Sequence, residues 1–206
     1  MEMMKYLIGV DEAGRGPLAG PVAVGAVVVR QDFDWSLTRG VRDSKKLTPR
    51  AREEWFSTIR ALRRDGALNF SVSFTSASLI DKRGIVPAIA IALRRCLQKL
   101  NVAPRDCQVL LDGNLYAPKE YVFQKTIIRG DDLEPIISLA SVVAKVRRDR
   151  LMTRFAKRFP SYGFERHKGY GTLSHRDIIK RIGFCDLHRT TFCTRLLQKD
   201  QAPSTN

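Results

Sequence analysis

Histidine and cysteine are scarce: three and four residues in a chain of 206. Cys96, Cys107, Cys185 and Cys193 form no C-x-x-C pair, and His167, His175 and His188 do not interleave with them at zinc-ligand spacing. This excludes a zinc-finger scaffold and leads us to expect reduced thiols in the cytoplasm. No stretch approaches the ~18 consecutive apolar residues of a membrane span. The opening Met1-Glu2-Met3-Met4-Lys5 lacks the apolar segment of a signal peptide. Acids are also in short supply, 21 against 36 Lys and Arg, for a net charge of +15. With 44% hydrophobic and 28% charged residues the chain is neither disordered nor collagen-like, and its length suits one domain over 1–206.

The positive excess points to a polyanionic partner, with nucleic acid the default. It is unevenly placed: residues 145–199 carry a net +11 and the rest of the chain only +4. Tyr6–Val10 and Val22–Val29 read as apolar strands around a loop, 13–21, with three Gly and two Pro. Thr48 as N-cap and Pro49 at the first helical position predict a helix to about Arg64. Leu68, Phe70, Val72 and Phe74 alternate with polar residues, as in a half-buried strand. Ile85–Leu100 reads as a helix, Val109–Leu111 and Tyr121–Ile128 as strands, and Pro135 to about Arg158 as the longest helix. A short helix is expected from Ser174 as N-cap to Gly183 as stop. Strands alternating with helices predict an α/β fold, a mixed sheet covered by helices.

Adjacent acids occur at Asp11-Glu12, Glu53-Glu54 and Asp131-Asp132. Glu53-Glu54 sits at a helix start, where acids complement the dipole. Asp11-Glu12, Asp112 and Asp131 instead follow apolar strands, close to a Gly. In open α/β sheets, sites gather at such strand ends. Carboxylates converging there repel one another unless a concentrated counter-charge is present. Hard oxygen donors suit Mg²⁺ or Mn²⁺, and two such ions about 4 Å apart perform phosphodiester chemistry. Beside a basic surface, that chemistry is the sharper reading; acids that merely cap turns are the bland one.

The segment Asp11-Glu12-Ala13-Gly14-Arg15-Gly16-Pro17-Leu18-Ala19-Gly20-Pro21-Val22 resembles the opening motif of type 2 ribonuclease H, ribonuclease HII. Further segments resemble that family in order: Asp43-Ser44-Lys45-Lys46-Leu47, Asp112-Gly113-Asn114, Gly130-Asp131, Ala140-Ser141-Val142-Val143-Ala144-Lys145-Val146 with Arg148-Asp149, His167-Lys168-Gly169-Tyr170-Gly171-Thr172, and Leu187-His188-Arg189 with Phe192. The resemblance spans about 5–193. It implies the ribonuclease H-like fold: a five-stranded mixed sheet flanked by helices to about residue 160 and a helical substrate-binding part over about 161–197; the polar tail 198–206 is expected to be frayed by its composition. It also implies cleavage of the RNA strand of RNA/DNA hybrids, and of duplex DNA carrying single ribonucleotides.

Carried over by residue, the resemblance makes Asp11, Glu12, Asp112 and Asp131 the metal-binding and catalytic tetrad, with Asp132 the second choice for the last position. It implies that Gly14-Arg15-Gly16 contacts the ribonucleotide and that Tyr170 packs on the sugar beside it. For Tyr170 the alternative is a core aromatic. Lys45, Lys145 and Arg148 are candidates for phosphate contact or site electrostatics, with ordinary ion pairs the alternative for each. Ser141 is a candidate contact, or a helix residue bonding to its own preceding turn. Gly84, where the family often has Asn, and the divergent stretch Leu133–Leu139 depart from the pattern without touching the tetrad. The related ribonuclease HIII family carries an additional N-terminal domain, for which this chain leaves no room before its first strand. No sliding-clamp docking motif is present in the tail, and a monomer is expected. A non-catalytic basic nucleic-acid-binding module is the alternative of a different class; four acids at strand ends argue against it.

Overall fold

The computed structural model describes residues 4–41 and 44–198; Asp43 and the tail 199–206, both part of the readings above, lie outside the described residues. Five strands form one mixed sheet. β1 (Tyr6–Ala13) pairs antiparallel with β2 (Val22–Arg30), and β2 with β3 (Leu68–Thr75). On its other side β1 pairs parallel with β4 (Cys107–Asp112), and β4 with β5 (Gln124–Ile127). The order β3-β2-β1-β4-β5 is the five-stranded mixed sheet expected. Every residue of β2 except Arg30 is buried, which is why this strand reads as a continuous apolar run.

α1 (Pro49–Arg64) begins where predicted, with Thr48 Oγ1 accepting the Ala51 N–H at 3.1 Å. α2 (Ala77–Arg83), capped by Ser76, was not anticipated: it is two turns long and ends at Gly84. α3 (Ile85–Gln98) then covers one face of the sheet, packing Ala88, Ala92, Leu93 and Leu97 on Ile8, Val10 and Val24. After a single turn, α4 (Gly130–Leu133), the long α5 (Pro135–Arg158) joins α1 on the other face, over Val27, Phe70 and Leu110. No described helix is long and apolar enough to cross a membrane. Beyond α5 come α6 (Phe164–His167), α7 (Leu173–Ile182) and α8 (Thr190–Gln198).

Two expected boundaries are corrected. β5 begins at Gln124 rather than Tyr121, because the Gln124 side chain bonds the main chain of Ala117 and Tyr121 and holds 117–123 as a loop. α7 is capped by Thr172, whose hydroxyl accepts the His175 N–H, so Ser174 lies inside the helix.

One close approach sets the position of everything that follows. A Cβ on Gly25 of β2 would lie 2.7 Å from the Ala140 carbonyl oxygen of α5. Glycine lets the helix lie directly on the sheet. Gly25 pairs with Asp11, so Ser141 of α5 is carried to the level of Asp11 at the end of β1.

Candidate active site

β1 and β4 run parallel, so their C-terminal ends bring Asp11 and Asp112 to one edge of the sheet. Asp131 joins them from the turn after β5. Arg129 adopts the left-handed conformation (φ 58°), the chain reverses into α4, and the Asp131 N–H donates to Asp112 Oδ1 at 3.3 Å. Oxygens of Asp11, Asp112 and Asp131 all lie within 4.8 Å of one another. Glu12 lies outside this trio. Adjacent residues of a strand face opposite sides of the sheet, and Glu12 instead accepts from Arg15 Nη1 at 3.3 Å. It remains close enough for its charge to act on Asp11. Asp132, the alternative to Asp131, lies outside the trio, paired with Lys46 at 2.6 Å and Arg129 at 3.2 Å.

The trio is buried against its own charge. Burial, followed by the charges of Glu12 and Asp112, holds the Asp11 carboxyl well above the usual carboxylate range. Burial and then the charge of Asp131 raise Asp112. Burial raises Glu12, partly offset by its bond from Arg15. Ser141 acts on Asp11 in the opposite sense, lowering it, and Ser141 Oγ shares a hydrogen bond with Ser44 Oγ, 2.7 Å away. Lys45 Nζ reaches Asp131 Oδ2 at 3.1 Å but is itself 70% exposed, a weak counter-charge. Three converging hard-oxygen donors with so little cationic compensation form a set that fits divalent cations and fits little else.

The loop 14–21 lies beside the trio and is braced from within. Arg148 Nε donates to the Pro21 carbonyl (2.9 Å), Nη2 to Ala19 (3.3 Å) and Nη1 to Lys168 (3.0 Å). Arg189 Nε donates to Gly20 (2.9 Å), Nη1 to Arg15 (2.9 Å) and Nη2 to Gly14 (2.7 Å). Both arginines are fully buried. A phosphate contact by Arg148, one of the expectations above, is therefore corrected: its guanidinium has no route to solvent and is consumed by main-chain carbonyls. Gly14 is required where it stands, with φ +89° and its absent Cβ only 1.9 Å from Arg148 Nε. Gly16 is exposed, with nothing within 4 Å of the side chain it lacks.

Tyr170 is partly exposed at 42%, so it is no core aromatic. Lys145 Nζ and Arg148 Cζ lie 5.6 and 5.8 Å from its ring centre. Lys145 is half-buried and paired with Asp149 at 2.9 Å, the ordinary ion pair held open for it.

Sequence reasoning missed the brace. One signal was available: residues 141, 145, 148 and 152 share a helix face, and 141 and 152 are buried positions, so Arg148 had to be a buried arginine. Nothing local marks Arg189, whose partners lie at the other end of the chain.

Comparison with known proteins agrees with this geometry. The family model described as Ribonuclease HII matches residues 8–195. A Ribonuclease HII of Syntrophotalea carbinolica is 46% identical over 188 residues, covering 91% of this chain and 85% of that one. One from Synechococcus sp. (strain WH7803) is 46% identical over 194 residues, covering 94% and 97%. The solved ribonuclease H2 of Pyrococcus horikoshii OT3 superposes with a TM-score of 0.71 at 25% identity, covering 96% of this chain and 100% of that one. With a carboxylate trio at the shared strand ends of a ribonuclease H-like sheet and relatives matching over nearly its whole length, this chain belongs to the ribonuclease HII family of metal-dependent endoribonucleases acting on RNA/DNA hybrids.

Proposed function

We propose that this enzyme cuts on the 5′ side of a ribonucleotide, both in continuous RNA/DNA hybrids and where a single ribonucleotide is embedded in duplex DNA, leaving 3′-hydroxyl and 5′-phosphate ends. The observation that carries this reading is the convergence of Asp11, Asp112 and Asp131 beside the Gly14-Arg15-Gly16 main chain. These carboxylates, with Glu12 adjoining, are the residues that would hold two Mg²⁺ or Mn²⁺ ions. Such ions, when bound, lower the pKa of a water nucleophile and stabilise the leaving 3′-oxygen. The chain's own part is to hold the donors still. Ser141 orients Asp11, the Asp131 N–H orients Asp112, and Lys45 steadies Asp131. Water as nucleophile makes a general-base histidine unnecessary, and all three histidines are engaged elsewhere.

Selection of the ribonucleotide is argued from the peptide planes. RNA and DNA differ at a given nucleotide by the 2′-hydroxyl. Arg189 draws the Gly14 and Arg15 carbonyls inward. No described peptide bond is cis, so the N–H of Arg15 and the N–H of Gly16 point the opposite way, outward beside the carboxylates. Two outward N–H groups flanked by glycine are suited to donating to a ribose hydroxyl oxygen at close range. Tyr170, partly exposed next to this loop, is placed to pack against the neighbouring sugar and so to distinguish a junction from a continuous hybrid. Residues from about 161 to 197 form the substrate-binding part.

The test is incubation with a DNA duplex containing one ribonucleotide, in Mg²⁺, Mn²⁺ or EDTA, with the product ends mapped. Metal-dependent cutting on the 5′ side, lost in Asp11→Asn, is expected. Cutting only of long hybrids would remove the junction reading and leave the family activity in place.

A further inference from the structure

The three histidines, scattered in sequence, are gathered in the fold. The rings of His167 and His175 stack with centroids 4.1 Å apart, and His175 Nε2 lies 3.2 Å from His188 Nε2. His175 and His188 are buried, with Phe164 packed on both. None belongs to the carboxylate site.

Main-chain partners fix the ring protons of His167 and His175, since a carbonyl only accepts and an amide N–H only donates, and His175 then fixes that of His188. His175 Nδ1 faces the Tyr170 carbonyl at 2.9 Å, so Nδ1 carries the hydrogen. Its Nε2 is then bare and accepts from His188 Nε2–H. In a neutral ring His188 Nδ1 is then bare and accepts the Cys185 N–H at 2.9 Å, the shorter contact, rather than donating to the Cys185 carbonyl 3.2 Å away. His167 Nε2 donates to the Tyr162 carbonyl at 2.7 Å, leaving Nδ1 to accept the Gly169 N–H at 3.2 Å. All six ring nitrogens are used and all three rings are neutral. Burial keeps each below the usual histidine value.

Two of these bonds land on either side of one residue: the Gly169 N–H and the Tyr170 carbonyl. Residues 168–172 lie between α6 and α7, outside any helix or strand ladder, and beside the two rings are held by single bonds: Leu18 and Ala19 N–H to the Gly169 carbonyl, Tyr170 N–H to His167, Thr172 N–H to Tyr170 and Arg148 to Lys168. We infer that His167 and His175 are positioning residues for Tyr170, their rings fixing the main chain from which its side chain leaves, with His188 setting the tautomer of His175. This rests on the reading of Tyr170 as the junction sensor.

The experiment compares His175→Phe, His175→Asn, His167→Phe and Tyr170→Ala. The readout is the ratio of kcat/KM on a single-ribonucleotide duplex to that on a continuous hybrid, so a general loss of folded enzyme cancels. His175→Phe keeps the bulk but loses the donor, and should lower the ratio about tenfold, the scale of one buried hydrogen bond. His175→Asn, whose side-chain N–H takes the place of Nδ1–H, should restore most of it. Combining His175→Phe with Tyr170→Ala should lower the ratio no further than Tyr170→Ala alone. Equal loss on both substrates, or an unchanged ratio in His175→Phe where Tyr170→Ala lowers it, overturns the inference. If Tyr170→Ala itself leaves the ratio unchanged, the sensor reading fails instead. The positioning claim is then decided by amide exchange at Gly169, about tenfold faster in His167→Phe if it holds and unchanged if it does not.

Discussion

Arg148 and Arg189 are buried as deeply as Asp11 in the same fold, yet their charges are handled in opposite ways. Each guanidinium spreads one charge over a planar fork and satisfies it with three main-chain carbonyls. The carboxylates face one another, and the protein supplies one buried hydroxyl, the main-chain N–H groups of Glu12 and Asp131 and a mostly exposed lysine. The arginines therefore belong to the folded structure on their own, whereas the carboxylates are held in a state that a cation completes. Buried charge alone marks neither structure nor function; the presence or absence of a matching partner separates them.

That contrast can be broken most sharply at Asp11. Asp11→Asn should lower cleavage by about 10²–10³-fold or more, the effect of removing one electrostatic contact from a transition state. The same change should raise the metal-free melting temperature by about 2–4 °C, since 1 kcal/mol of relieved repulsion corresponds to that shift at this size. A variant that loses activity and melts lower would show that Asp11 is stabilising and would erase the distinction.

The arginine half is tested by Arg189→Met, which strands three carbonyls. It should cost about 3–5 kcal/mol in urea unfolding. Arg189→Lys should recover little, because an ammonium cannot reproduce the fork.

A third, milder case is the neutral histidine cluster. Burial holds His175 down to about 4, against about 6.5 when unfolded. The unfolded chain takes up a proton that the folded chain refuses, so this contribution to stability is intact above pH 6.5 and declines as pH falls from there toward 4. Urea midpoints measured across that window should decline less steeply in His175→Phe than in the native chain.

The smallest effect is expected at Lys45. Its pair with Asp131 is exposed on the lysine side, and Lys45→Ala should change unfolding free energy by no more than about 1 kcal/mol.

Much of this was legible in the sequence where the signal is local. Thr48-Pro49 and Pro135 announced the starts of α1 and α5, and acids after apolar strands announced the trio. Asp11 and Glu12 could not be ranked by adjacency, because strand alternation sends neighbours to opposite faces and their partners come from α5 and the loop. Ser174 and Thr172 are both competent caps, and the extended backbone at Thr172 (φ −64°, ψ 162°) decides between them. β5 was overestimated because the apolar Val122 and Phe123 resemble strand residues yet are exposed. The brace was invisible because its contacts join distant segments, and no periodicity encodes a partner that far away; the histidines meet through turns and short helices, which no regular spacing encodes either.

That distance has a consequence for the order in which the molecule is assembled. The Arg189 guanidinium grips a carbonyl 175 residues upstream. During synthesis β1 and β2 emerge early and can pair at once, but the loop between them acquires the Arg189 half of its inner support, the half under Gly14 and Arg15, only when residues near 189 have left the ribosome. Closing so long a stretch of chain is entropically slow. The carboxylate edge can thus be in place while the loop beside it is still loose, and on the function proposed above the selection of a ribonucleotide would arrive late in folding.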